Sequence, residues 1–163
     1  PYKRRFPNSE VWGLEPAAQL LKVANKRAGA RGLEINYRQA IAEETRFPDD
    51  HFDLVSATIL FHEVTAPAMK VALKEARRIL APGGQLVIGD ELPFELMNDY
   101  ELWYDRWQTV NNNEPYWAEI KSQSFEALCR EAGFEEVTVE HRGNLRFFGE
   151  PRLVWPPFKV FAS

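Results

Sequence analysis

The chain has 163 residues, enough to bury a core of its own as one domain, and its 45% hydrophobic content excludes a disordered polar chain. A net charge of -4 without a long basic run speaks against nucleic acid as the main partner. No apolar run reaches the roughly 18 residues of a membrane span. The single Cys129 excludes an internal disulfide framework and a multi-cysteine zinc site, which fits a reducing cytoplasm.

In chain order, PYKRRFP at the start reads as the end of a helix. With no initiator Met and no signal-like segment, the expectation is a chain that begins inside a fold. Glu10 to Leu14 is a short strand candidate, and Pro16 suits the first position of a helix. Ala17, Leu20, Leu21, Ala24 and Ala28 repeat at helical spacing before Gly29 or Gly32 stops the helix. Leu33 to Arg38 is a second, polar strand candidate. Ala40 to Arg46 is a loop, and Phe47-Pro48-Asp49-Asp50 is turn chemistry.

Phe52 to Phe61 is a nearly unbroken apolar run, suited to a strand covered on both faces. Thr65 is placed to cap the next helix, with Pro67 in its first turn. Met69, Ala72, Leu73, Ala76 and Leu80 share one face, and Arg77 and Arg78 sit in the last turn, where cations suit the helix dipole. Pro82-Gly83-Gly84 ends it, and Gln85 to Gly89 is the next strand. Strand, helix, turn, strand is a βαβ unit of a parallel sheet. Function is then expected at the strands' carboxyl ends, around Ala57 to Glu63 and Asp90 to Phe94. The alternation predicts a three-layer α/β domain.

Beyond Asp90, Leu96 to Val110 is a helix candidate with Leu96, Tyr100, Trp103, Trp107 and Val110 on one side. Asn111 to Pro115 breaks it. Ser124 caps a further helix carrying Phe125, Leu128, Cys129 and Ala132, which stops at Gly133. Phe134 to His141 and Leu153 to Phe161 are the last strand candidates, with Pro156-Pro157 at a bulge, edge or break.

Four segments resemble class I S-adenosylmethionine-dependent methyltransferases, in particular the small-molecule, ubiquinone/menaquinone-biosynthesis-type branch. They are the F-P-D-x-x-F-D segment at Phe47–Val55, the E-x-x-R-h-L-x-P-G-G segment at Glu75–Leu86, Glu15 at a strand end, and S-F-E-x-L-x-x-E-A-G-F at Ser124–Val137. The resemblance covers about Arg5 to Val139. It implies a Rossmann-like sheet of order 3-2-1-4-5-7-6, S-adenosylmethionine as cofactor, and methyl transfer to a small-molecule acceptor. The family's glycine-rich turn and first strand are absent, so the expectation is one N-terminally truncated domain, 1–163. Alone it would fold poorly unless upstream residues or another chain supply that strand. The other readings are a methyltransferase-like domain that binds or assembles without catalysis, and a nicotinamide oxidoreductase.

The resemblance assigns Glu15, followed by Pro16, to the cofactor's ribose hydroxyls. It places Ala42, through its backbone, and Glu43 by the adenine, and Ala57 and Thr58 by the cofactor's amino group. His62 is the general-base candidate, because imidazole titrates near neutrality. Adjacent side chains diverge in regular structure, so His62 and Glu63 are not expected to form a dyad. Tyr100, Trp103, Tyr104, Trp107, Tyr116 and Trp117 form an aromatic group in the segment 95–121. It reads as a substrate lid, a helix packed on the sheet or a contact in a homodimer. The substrate set of the lid reading is Tyr100, Trp103, Trp107, Asn113 and Tyr116. No His, Asp and Glu cluster has metal-ligand spacing.

Overall fold

The computed structural model describes residues 1–90, 94, 97–112, 115–141 and 158–163. They fall into two compact units, Pro1–Arg46 and Phe47–Ser163.

The first unit holds α1 (Tyr2–Arg5), β1 (Trp12–Leu14), α2 (Ala18–Gly29) and β2 (Asn36–Arg38). β1 and β2 pair in parallel, with Gly13 opposite Tyr37. A methyl group at Gly13 would lie 2.9 Å from the Tyr37 ring, so glycine lets that ring lie over the strand. Helix α2 starts two residues later than Pro16, because the Glu15 carboxylate accepts the Ala17 N–H at 2.9 Å and Pro16 lies outside the helix. Of its expected apolar face, Leu21 and Ala24 are half-buried and Ala28 is buried, but Leu20 points to solvent. A two-stranded sheet covers only a narrow stripe of a helix.

The second unit begins with β3 (Phe52–Thr58), a 3-10 turn (Phe61–Glu63), α3 (Ala66–Ile79) and β4 (Leu80–Asp90). It continues with α4 (Asp99–Asn111), α5 (Trp117–Lys121), α6 (Phe125–Glu131), β5 (Val137–His141) and β6 (Phe158–Ala162). Its sheet has the order β3-β4-β6-β5, with β3 and β4 parallel and β6 antiparallel to both its neighbours. The α/β architecture matches the expected class.

The βαβ unit forms as its periodicity predicts. Met69, Ala72, Leu73, Ala76 and Leu80 are all buried, and the Thr65 hydroxyl accepts the Ala68 N–H. Two details differ. Strand β3 is the edge of its four-stranded sheet, and its residues range from half-buried to exposed rather than covered on both faces. Strand β4 starts at Leu80, not Gln85, because Pro82-Gly83-Gly84 is absorbed as a register shift opposite Phe52 and Leu54. Gly83 takes φ +79. A Cβ on Gly84 would meet the Ala81 and Phe52 carbonyl oxygens at 2.9 and 3.0 Å, so the bulge requires glycine.

The motif residues at the far end of α3 have a structural task. Arg78 donates to both Glu75 oxygens at 2.7 Å, to Asp49, and to the Phe47 carbonyl at 2.8 Å. The Glu75 and Asp49 carboxylates hold its pKa above the ordinary arginine value. This fork ties the Phe47–Asp50 turn to α3, so the E-x-x-R and F-P-D spacings are two sides of one contact.

Helix α4 reverses the usual amphipathic rule. Its aromatic stripe faces outward: Tyr100, Trp103, Trp107 and Val110 are 47%, 60%, 50% and 81% exposed. The reading of this stripe as a face packed on the sheet is therefore corrected. Glu101 and Asp105, one turn apart, face inward instead and are 4% and 5% exposed. The helix starts on a capping box: the Asn98 side chain accepts the Tyr100 and Glu101 N–H groups, and Glu101 accepts the Asn98 N–H at 2.9 Å. That bond gives one oxygen of the buried Glu101 carboxylate a backbone donor.

Candidate functional site at the carboxyl ends of the parallel strands

In the second unit the chain leaves β3 through a strained residue. Ile59 has φ 53, a left-handed conformation that β-branched side chains rarely adopt, and its N–H donates to the Gly89 carbonyl at 2.7 Å. This kink turns the following backbone back toward the end of β4. There Asp90 Oδ2 accepts the Leu60 and Phe61 N–H groups at 3.0 and 2.7 Å. Its other oxygen, Oδ1, lies 2.7 Å from His62 Nδ1. Asp90 and His62 are 1% and 5% exposed. The expected locations, the ends of β3 and β4, thus meet in one carboxylate–imidazole pair.

With Asp90 fixed by two backbone donors, Nδ1 is the nitrogen that carries the proton toward it. Nε2 is left as the exchanging position. That nitrogen lies 3.3 Å from Glu63 Oε1, whose side chain is 64% exposed. The expectation that His62 and Glu63 diverge is corrected. They sit in a 3-10 turn rather than a helix or strand, and there the Glu63 side chain reaches the ring.

Further contacts extend from His62. The Trp117 indole stands edge-on to the imidazole, ring centres 6.1 Å apart. Lys121 Nζ lies 4.1 Å from the centre of the Trp117 ring and forms a buried ion pair with Asp105 Oδ1. A continuous set of side chains therefore runs Asp90, His62, Trp117, Lys121, Asp105. Asp90 terminates a recognised strand, but its link to His62 spans 28 residues and follows from sheet register. Lys121 and Asp105 carry no sequence signal, since a lone charged residue on a helix, whether the short α5 or the aromatic-striped α4, reads as solvated.

The remaining candidates divide between the units. In the first, Glu15 and Pro16 follow β1. Glu15 is half-buried with its carboxylate on the Ala17 N–H, and the Pro16 carbonyl accepts Gln39 Nε2 at 2.9 Å. Ala42 and Glu43 are half-buried on the turn closed by Glu44 N–H to the Ile41 carbonyl. In the second, Ala57 is half-buried opposite Ile88, and Thr58 is exposed opposite Gly89. Tyr100 and Trp103 lie side by side with ring centres 5.9 Å apart, and half-buried Tyr116 precedes α5. Asn113 lies outside the described residues. Among the described residues no group of three His, Cys, Asp or Glu could hold a metal ion, and no helix is long and apolar enough to cross a membrane.

The chain is similar to the demethylmenaquinone methyltransferase of Thermus thermophilus, 43% identical over 86 residues that make up 53% of this chain and 38% of the relative. It is also similar to the demethylmenaquinone methyltransferase of Geobacillus kaustophilus, 30% identical over 151 residues, 82% of this chain and 64% of the relative. The chain thus spans less than two thirds of the length of either relative. Among solved structures, an S-adenosylmethionine-dependent methyltransferase of Thermotoga maritima superposes with a TM-score of 0.64 at 26% identity, over 93% of this chain and 71% of that one. The family profile described as methyltransferase domain matches residues 1–88, more than half of the sequence. Profile, relatives and fold agree, and the chain belongs to the methyltransferase domain family, of the class I group whose motifs it carries.

Proposed function

We propose that this chain takes part in S-adenosylmethionine-dependent methyl transfer to a small-molecule acceptor. A quinone of the kind named for the demethylmenaquinone methyltransferases is the first acceptor to test. The observation that carries the reading is the buried His62–Asp90 pair at the strand ends, in a chain of this family. The donor chemistry of the first unit fits the cofactor. Glu15 is a half-buried carboxylate held at a strand end by the Ala17 N–H, suited to a ribose diol. Pro16 follows it on the same strand end. Ala42 through its backbone and Glu43 through its carboxylate would take the adenine.

When bound, S-adenosylmethionine supplies an electrophilic methyl group on a sulfonium. The chain's own residues align the acceptor, exclude water and move the acceptor's proton. His62 accepts that proton at Nε2, because Nδ1 already donates to Asp90. Asp90 is immobilised by the Leu60 and Phe61 N–H groups and fixes both the ring's tautomer and its orientation. Glu63, 3.3 Å from Nε2 and open to solvent, gives the proton an exit. Tyr100, Trp103, Trp107 and Tyr116, with Asn113 beside them in the chain, form the lid of the segment 95–121, in a single methyltransferase domain.

Calorimetric titration of the whole protein with S-adenosylhomocysteine tests the reading. A binding heat is expected, and Glu15→Ala should weaken affinity by about tenfold, the loss of one charge-assisted hydrogen-bonding group. No heat at high micromolar ligand rejects the function. Unchanged affinity in the Glu15 variant rejects the ribose role.

A further inference from the structure

Within the first unit, one residue holds two separate stretches of chain. Arg38 ends β2, opposite Leu14 in the register with β1. Its carbonyl accepts the Glu15 N–H at 3.2 Å, which fixes the point where the chain leaves β1. Its side chain reaches the residues that follow β2. Arg38 Nη1 donates to the Arg46 carbonyl at 2.6 Å and to the Thr45 carbonyl at 3.4 Å. These charge-assisted bonds hold the exit of the Ile41–Arg46 turn at a left-handed residue, since Arg46 has φ 60. The turn's own closures are weaker. The Glu44 N–H meets the Ile41 carbonyl at 3.3 Å, and the Glu44–Arg46 ion pair is exposed on both sides. The guanidinium also has a fixed seat, 5.1 Å from the centre of the Trp12 ring. The Trp12 indole donates to Glu10 Oε1 at 2.9 Å, and the same oxygen accepts Asn36 Nδ2 at 3.1 Å, which braces the ring against β2.

We propose that Arg38 is a positioning residue for the cofactor, setting the distance between the Glu15 carboxylate and the Ala42–Glu43 turn. The role rests on the methyl-transfer reading, which gives Glu15 to the ribose and Ala42 and Glu43 to the adenine. Arg38 acts through them, by its backbone on Glu15 and by its guanidinium on the turn. A turn already held in place meets the base without a further ordering cost on binding. Without the guanidinium, Glu43 drifts from the base while Glu15 keeps its place at the end of β1. The loss therefore falls on recognition of the base and spares the ribose contact.

The test compares two ligands on the whole protein by calorimetry. They are S-adenosylhomocysteine and S-inosylhomocysteine, in which a carbonyl oxygen replaces the amino group of the base. The Glu43 carboxylate accepts from the amino group and repels the carbonyl oxygen, so the wild type should prefer the adenosyl compound by at least about tenfold. Arg38→Met keeps an apolar stem over Trp12 and removes the donors, and the preference should fall to about threefold or less. Glu15→Ala should weaken both compounds by the same factor and leave the preference intact. A folded Arg38→Met protein with the wild-type preference overturns the proposal, even where both affinities drop together, as a merely structural role would give. Where the Met variant does not fold, Arg38→Gln carries the same expectation, and loss of the fold in both overturns the proposal by making Arg38 a stability residue. A wild type that binds S-adenosylhomocysteine without preferring it overturns this role and leaves methyl transfer standing. No binding of either compound rejects methyl transfer itself, and this role with it.

Discussion

Substituting Asp90 by Asn isolates what the strand-end carboxylate does. Asp90 accepts from Leu60 N–H at 3.0 Å, from Phe61 N–H at 2.7 Å and meets His62 Nδ1 at 2.7 Å. Both backbone donors use Oδ2, so an Asn carbonyl oxygen keeps them. The amide nitrogen then faces Nδ1, donor against donor, and the imidazole must change tautomer so that Nδ1 accepts and Nε2 carries the proton. The loss is one charge-assisted bond, roughly 1.5–3 kcal/mol, partly restored by the new amide–imidazole bond, leaving a net cost of about 1–2 kcal/mol. Urea denaturation measures it. Asp90→Ala strands all three partners and should cost at least about 3 kcal/mol. With Nε2 protonated the ring no longer accepts a proton, so turnover should fall by about 10²–10⁴, the range of general-base catalysis. Nitrogen-15 shifts of the His62 ring report the tautomer directly. An Asp90→Asn protein with Nε2 still unprotonated, or with turnover within threefold of wild type, refutes the reasoning.

Gly84→Ala should destabilise the second unit by about 1–3 kcal/mol in a urea melt, because the new methyl meets two backbone oxygens at 2.9 and 3.0 Å that cannot rotate away. Ile59→Asn should stay within about 1 kcal/mol of wild type, since Asn tolerates φ 53 and recovers the roughly 1–2 kcal/mol of left-handed strain that offsets the lost apolar contact. If it is less stable than Ile59→Val by more than about 2 kcal/mol, the strain argument fails. Burial pushes the Cys129 thiol up from 9.0 to about 12. Its contribution is complete below pH 9 and is lost as the unfolded thiol ionises while the folded one does not, by about 1 kcal/mol per pH unit up to about pH 12. Denaturation midpoints at pH 8 and pH 10 should therefore converge in Cys129→Ala relative to wild type.

The βαβ unit was legible because burial there obeys periodicity. Met69, Ala72, Leu73 and Ala76 repeat at helical spacing and are buried, and Thr65 caps where an N-cap residue should. The Asn98–Glu101 capping box was equally readable as N-x-x-E but is masked by the aromatic periodicity beside it. That periodicity points the wrong way: Trp103 and Trp107 are outside while Glu101 and Asp105 are inside. Hydrophobic spacing assigns the buried face only when apolar area drives docking, and here a cap and an ion pair do. The site was half legible. The strand ends were placed correctly, but His62 meets Asp90 through the register of β3 on β4 and the turn at Ile59, and no local pattern encodes that meeting.

The inverted α4 has a thermal consequence. A helix docked by its apolar face exposes that face when it opens, and the resulting heat-capacity increment bends its stability into a dome with temperature. Helix α4 already presents much of Tyr100, Trp103, Trp107 and Val110 to solvent, so opening it adds less new apolar surface than opening α3, whose apolar face is buried. Its detachment should then carry a smaller heat-capacity increment than that of α3 and vary less steeply with temperature. The core of α3 and β4 keeps the curved profile of apolar burial. The helix that bears Asp105 is thus free to open at temperatures where the sheet beneath His62 remains near its maximum stability, a separation that hydrogen exchange across a temperature series resolves.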